Sequence, residues 1–426
     1  MRILLLGAGG FIGRQIMAAL LDGGHEVVAT TRHLTGQAEA CPEARFIGID
    51  LARALEPAIW APHLAGMDLI VNCAGVLRGA EMDAVHVAMP RALHAAALAA
   101  GVRRVVLISA ISARADVATD YAHSKLAGEA ALRDSGLAWT ILRPSLVYGD
   151  GSYGGTSLMR GMAGLPWLVP LPGDGRFAFT PIHARDLARA VRIVCEDARF
   201  AGTTLEPVGP RTLGLRDLLT QYRAWLGFGR MRALSVPMPV MRLFARAGDL
   251  LGDGPVSSNS LDQMIAGNAG DSAAFASAIG FHPRSLEVAL RARPAQVQDR
   301  WHARLFFLAP ALKAVLVLMW LVSAWLGLAH GAARTAEVVA GLGLPPGWAD
   351  PLRIGGSLLD LGVAVLLLFD RGGRWATPVQ SAVIVGYTLV IGVAVPGLWL
   401  DPLGPLVKNI PILAAVLVHG AIAERR

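Results

Sequence analysis

Ile3-Leu4-Leu5-Leu6-Gly7-Ala8-Gly9-Gly10-Phe11-Ile12-Gly13 is the stretch whose reading decides the fold. Four apolar residues in a row have the character of a strand buried on both faces, and an amphipathic stretch to Leu21 follows the glycines. The order is therefore strand, glycine turn, helix. Glycines allow a tight turn and bring backbone amides close to a phosphate-bearing ligand, which the free N–H groups and dipole of the helix N-terminus then stabilise.

Outward from this unit the pattern repeats. Val27 to Thr30, Ala44 to Ile47, Leu69 to Asn72 and Val105 to Ser109 read as further strands, with helical stretches between them, notably Met82 to Ala100. Strands alternating with helices predict a doubly wound parallel sheet of the α/β class. The whole chain has 426 residues, 54% of them apolar, and a mean hydropathy of +0.48, so at least one soluble and one membrane domain are expected. Its net charge of +7 comes from arginines spread along the chain, without a basic run interleaved with aromatics, and no nucleic-acid partner is expected. Cys41, Cys73 and Cys195 are widely spaced and lack a Cys-x-x-Cys or nearby His cluster, which predicts neither disulfide nor metal site. Lysine occurs at only three positions, Lys125, Lys313 and Lys408, marking places where a compact ammonium serves and a guanidinium does not.

The spacing Gly7-x-x-Gly10-x-x-Gly13 resembles that of the short-chain dehydrogenase/reductase superfamily. Further segments carry the likeness in order: Asp50-Leu51, Asn72-Cys73-Ala74-Gly75, Tyr121-Ala122-His123-Ser124-Lys125 and Leu142-Arg143-Pro144. Val147 to Gly151 and Pro181 to Ala188 are similar to segments of its extended and atypical branches, including the group of the NADPH-binding accessory subunit of respiratory complex I. The resemblance implies a dinucleotide site at Gly7, Gly10, Phe11, Ile12, Gly13, Arg32, Asp50, Leu51, Ala74, Tyr121 and Lys125. At the end of the second strand, Ala29-Thr30-Thr31-Arg32 offers an arginine and no carboxylate, favouring NADP(H) over NAD(H). Tyr121 and Lys125 are one helical turn apart and share a face. The likeness implies that Tyr121 is the acid/base and that Lys125 holds the nicotinamide ribose and lowers the tyrosine pKa. It also implies a third, serine member, Ser109 at the strand end or Ser112 in the loop.

From Leu305 onward the composition changes. Leu305 to Ala329, Ile354 to Phe369, Ala376 to Leu400 and Leu403 to Ile422 read as four membrane spans. Arg291, Arg293, Arg300, Arg304, Arg371, Arg374, Arg425 and Arg426 fall on one side, against Arg334 and Arg353 on the other, which places both termini in the cytoplasm of an inner-membrane protein. The segment Trp399 to Asn409 and the span count resemble the DoxX-like membrane family. Asp360 and Lys408 lie at equal depth, about 10 Å from the surface at 1.5 Å per residue, which permits an ion pair; the other reading has Lys408 snorkelling outward and Asp360 capping or facing a small polar cleft.

The expected organisation is a nucleotide-binding domain over 1–290, with a small substrate lobe mainly from 150–180 and 200–290. A linker over 291–304 and a four-helix transmembrane bundle over 305–426 complete it. The function expected is a membrane-tethered NADP(H)-dependent oxidoreductase acting on a lipophilic substrate, a quinone or a lipid carbonyl. Two alternatives stand beside it: an NADPH-binding sensor or assembly factor without turnover, and a nucleotide-sugar epimerase or dehydratase. The last is disfavoured because Arg143-Pro144-Ser145-Leu146 lacks the asparagine common after the sixth strand of the epimerases.

Overall fold

A computed structural model describes residues 1–32, 34, 37–151, 154–250 and 257–423. The chain divides into two compact units, Met1–Ala303 and Arg304–Arg426.

The first unit is built on a seven-stranded parallel sheet. Strands β1 (Arg2–Leu6), β2 (Glu26–Thr31), β3 (Arg45–Gly48), β4 (Leu69–Asn72), β5 (Arg104–Ile108) and β6 (Ala138–Leu142) are joined by an edge strand, Thr203–Leu205. The order runs from that edge through β6, β5, β4, β1 and β2 to β3. Every pairing is parallel, and in the centre Ile3 lies opposite both Val27 and Leu69. Ile3, Leu4, Leu5 and Leu6 are all fully buried, because apolar clusters cover both faces of the sheet. At about 1.5–3 kcal/mol for each such side chain, this one strand anchors both clusters. The strand order reverses between β1 and β4, so the loops after these strands diverge and leave a crevice at their carboxyl ends.

Differences from the expected layout have local causes. The helix read over 82–100 begins as a π turn, Ala84–Ala88, before the α-helix Met89–Ala99. Thr203–Leu205, assigned to the substrate lobe, pairs with β6 and extends the main sheet. The rest of that lobe is held by short pairs: Val147–Tyr148 with Ile182–His183, Ala178–Phe179 with Leu213–Gly214, and Val169–Pro172 with Ala233–Val236. Within the stretch 291–304, read as a linker, the helix Val297–His330 begins, and most of the side chains are exposed while Asp299 and Ala303 are buried. Asp299, in the first turn of helix Val297–His330, is buried and accepts from Arg293 at 3.2 Å, with Arg160 at 3.5 Å. Arg160 in turn donates to the Gly149 carbonyl at 2.7 Å and stands over the Trp225 ring.

Among the described residues three helices, the first of which starts in the first unit and runs into the second, have the length and apolar character to cross a membrane: Val297–His330, Pro346–Phe369 and Ala376–Ala394. The fourth apolar run forms a shorter helix, Asn409–Ala423, about 22 Å long against a hydrocarbon core of roughly 30 Å. An unforeseen helix, Ala332–Gly341, lies between the first and second spans. The pairing of Asp360 with Lys408 that equal depth permits is not formed. Asp360 is buried and its two oxygens accept from Ser323 and from Tyr387, the latter at 2.9 Å. Neutral hydroxyls thus satisfy the carboxyl group in place of a lysine. Lys313 donates to the carbonyls of Leu368 and Asp370, both at 3.2 Å, which places its charge at the negative end of a helix.

Candidate active site

Because all strands are parallel, residues just past their carboxyl ends share one edge of the sheet. Gly7, Arg32, Asp50, Ala74 and Ser109 follow β1, β2, β3, β4 and β5 in this way.

The glycine turn is dictated by space. Gly7 has φ +75°, and its N–H donates to Thr30 Oγ1 at 3.3 Å. Gly10 donates to the Gly7 carbonyl at 3.0 Å and stands just before helix α1 (Phe11–Asp22). A Cβ on Gly13 would lie 2.1 Å from the Gly7 oxygen, so no side chain fits there. Phe11 and Ile12 open the helix. Ile12 packs on the apolar cluster, and the Phe11 ring lies 3.0 Å from where a Cβ on Gly149 would be. The closely packed glycines bring the chain tightly into the N-terminus of the helix, whose amides are the groups that would hold a pyrophosphate.

Arg32 is exposed beyond β2. Asp50 is also exposed; it accepts from the Ala52 amide at 3.2 Å and pairs with Arg53 at 3.5 Å. Leu51 packs on the second apolar cluster. Ala74 is buried, its amide donating to Asn72 Oδ1 at 3.1 Å.

Tyr121 and Lys125 lie on helix Asp120–Arg133, whose N-terminus is capped by Thr119 accepting from the Ala122 amide. Lys125 is buried, with Nζ 3.4 Å from the Ile108 carbonyl and 5.9 Å from the centroid of the Tyr121 ring. A Cβ on Gly75 would sit 3.1 Å from that nitrogen, so the glycine makes room for the ammonium. Burial lowers the Lys125 pKa to about 8, against partial opposition from Cys73 and Glu129. Burial pushes Tyr121 up to about 12, the reverse of the lowering expected from Lys125. The hydroxyl is therefore protonated at neutral pH.

Two groups join the site that the sequence did not single out. His86, on the π turn, has Nε2 accepting from the Val76 amide at 3.1 Å. Its Nδ1–H then donates to Ser124 Oγ at 2.9 Å, and Ser124 donates to the Tyr121 carbonyl at 3.0 Å. Burial and then Lys125 lower the His86 pKa to about 3, which keeps the ring neutral and in this tautomer. Its ring meets Tyr121 edge-on at 5.8 Å. A Cβ on Gly128 would lie 2.4 Å from the His86 carbonyl, so the π turn and the Tyr121 helix are in close contact.

The second is Glu129, fully buried, which accepts from Arg143 through two bonds at 2.8 and 2.6 Å and from Arg133 at 3.0 Å. Ser109 also donates to it, at 2.6 Å. Ser109 is thus turned toward an ion-pair cluster, and of the two serines left open by the sequence, Ser112 is the one not held by Glu129. A signal for Glu129 existed: it follows Lys125 by four residues, as Lys125 follows Tyr121, so all three share a helix face.

Two family models match separate parts of the chain, one within each unit. An NAD(P)H-binding family model matches residues 7–163, and a DoxX-like family model matches residues 317–417. Among curated relatives, a ceramide reductase of Caulobacter vibrioides is 32% identical over 200 residues, 45% of this chain and 60% of the relative. The chloroplastic divinyl chlorophyllide a 8-vinyl-reductase of Oryza sativa subsp. indica is 30% identical over 260 residues, 56% of this chain and 62% of the relative. The chain thus spans less than two thirds of each. Among solved structures, a nucleoside-diphosphate-sugar epimerase from Staphylococcus aureus superposes with a TM-score of 0.55 at 17% identity, covering 68% of this chain and all of that one. A dTDP-glucose 4,6-dehydratase from Streptomyces venezuelae, holding NAD, gives 0.53 at 22% identity, covering 68% of this chain and 96% of that one. At such identities these structures establish the fold alone.

Proposed function

The chain joins an NAD(P)-binding Rossmann-type domain to a DoxX-like membrane domain, and we propose that it is a membrane-anchored NADPH-dependent reductase of a lipid carbonyl. The observation that carries this reading is Tyr121 one helical turn from the buried Lys125, whose ammonium lies 5.9 Å from the centroid of the tyrosine ring and against Gly75 just past β4. The name of the ceramide reductase supports a lipid substrate, and a membrane domain keeps the chain at the surface where such substrates are dissolved.

Gly7, Gly10 and Gly13 would hold the pyrophosphate, Arg32 the 2′-phosphate that separates NADP from NAD, and Lys125 the nicotinamide ribose. The cofactor supplies a hydride to the carbonyl carbon. Tyr121 gives its proton to the carbonyl oxygen and regains one from water, so the product is the alcohol. His86 and Ser124 hold the backbone of the Tyr121 turn, and Ser112 is the remaining loop serine able to donate to the same oxygen. The reading places the first unit in the cytoplasm beside the inner membrane. Of the arginines behind that orientation, Arg293 and Arg300 are engaged within the first unit, by Asp299 and by the Leu226 carbonyl. Arg425 and Arg426 lie outside the described residues.

One observation favours a second reading, binding without turnover: Glu129 has captured Ser109, the expected third catalytic residue. The test that separates them uses the full chain in nanodiscs with NADPH, offering a long-chain keto-lipid, a quinone or a nucleotide-sugar in turn. Alcohol formed only from the keto-lipid supports the reductase. Saturable NADPH binding with no product from any of the three supports the binding protein, and turnover of either other substrate overturns the lipid-carbonyl assignment.

A further inference from the structure

Helix Met238–Leu250 of the first unit carries an apolar face turned outward. Val240, Leu243, Phe244 and Ala247 follow the spacing i, i+3, i+4 and i+7 and so line one side. All four are exposed, Leu243 by 68% and Phe244 by 58%. The helix is held from another side, where Ala245 is buried and Met238 and Met241 are half-buried. Exposed Arg242 and Arg246, with exposed Asp249 one turn beyond Arg246, occupy one flank of the apolar stripe and give it a net positive charge. The strand before this helix, Ala233–Val236, pairs with Val169–Pro172, and the Val169 amide donates to the Arg232 carbonyl at 2.9 Å. That pairing sets exposed Trp167 and Leu168, which lead into Val169, beside exposed Arg232.

We propose that this face rests in the interfacial layer of an anionic bilayer. An apolar stripe with arginines on its flank, and a tryptophan next to another arginine, are the chemistry of the boundary between headgroups and acyl chains. The chain itself supplies the reason for contact with lipid, since its described residues include three helices long and apolar enough to cross a membrane. The stripe would then meet lipid whether or not the proposed reaction is correct.

Benzoylphenylalanine placed at Leu243 of the full chain, in nanodiscs of phosphatidylglycerol and phosphatidylcholine, tests this by photocrosslinking and mass spectrometry. Exposed Ala99, on the helix Met89–Ala99, is the control position. The proposal expects phospholipid adducts at 243 about tenfold above those at 99, falling when phosphatidylcholine is the sole lipid. Adducts within the chain or to a second copy, equal lipid labelling at both positions, or labelling unchanged without phosphatidylglycerol would each overturn it.

Discussion

Replacing Glu129 with Gln keeps the shape of a fully buried side chain and removes its charge. Arg143, largely buried and bound through both ends of its fork, then loses its counter-ion, while Arg133 is more exposed and finds water. Stripping one partner from a buried pair costs about 3–5 kcal/mol, whereas an exposed pair such as that with Arg133 contributes roughly 0–1 kcal/mol. At roughly 2–4 °C per kcal/mol for a large domain, the Tm of the first unit falls by about 6–20 °C. Tryptophan fluorescence of the full chain during heating measures it. Arg143→Met is expected to cost a similar amount, and Glu129→Gln with Arg143→Met together to cost less than the two singles summed, because each substitution removes the charge that the other leaves unpaired. A Tm change under about 2 °C for Glu129→Gln, or strict additivity in the double variant, would refute the assignment of Glu129 as the anchor of this cluster.

Other consequences follow from the same geometry. Gly13→Ala forces a Cβ to within 2.1 Å of the Gly7 oxygen, and the overpacking is expected to cost about 1–3 kcal/mol and to weaken NADPH binding, as read by calorimetry and a thermal melt. Lys125 has a folded pKa of about 8, below its ordinary 10.5, so the unfolded chain binds the extra proton between these values and stability rises with pH there; nucleotide affinity falls over the same range as the ammonium is lost, which titration of binding against pH checks. In the membrane unit, a double-mutant cycle of Asp360→Asn with Tyr387→Phe is expected to show coupling of about 0.6–1.7 kcal/mol, and one of Asp360→Asn with Lys408→Met to show none.

The strands were legible because a parallel sheet buried on both faces leaves continuous apolar runs, and β4 falls at Leu69–Asn72 as read. The glycine turn was legible for a steric reason, visible at Gly13. What the sequence concealed was pairing across distance. Glu129 meets Arg143 and Ser109 only once β5, β6 and the Tyr121 helix are assembled, and Asp360 meets Tyr387 only when the second and third spans pack. Equal depth suggested Lys408 as the partner of Asp360, but depth carries no information about which face of a helix a residue occupies. The π turn at His86 was likewise hidden, since the stretch has the composition of an ordinary helix.

The central claim is that Tyr121 gives a proton to a lipid carbonyl. Nicotinamide absorbance of the full chain in nanodiscs, loaded with NADPH and given a long-chain keto-lipid, tests it beside Tyr121→Phe. The account predicts oxidation by the wild type and a rate about 10²–10⁴-fold lower in the variant, with NADPH affinity unchanged. Equal rates in the two proteins, or bound NADPH that neither oxidises, would contradict it.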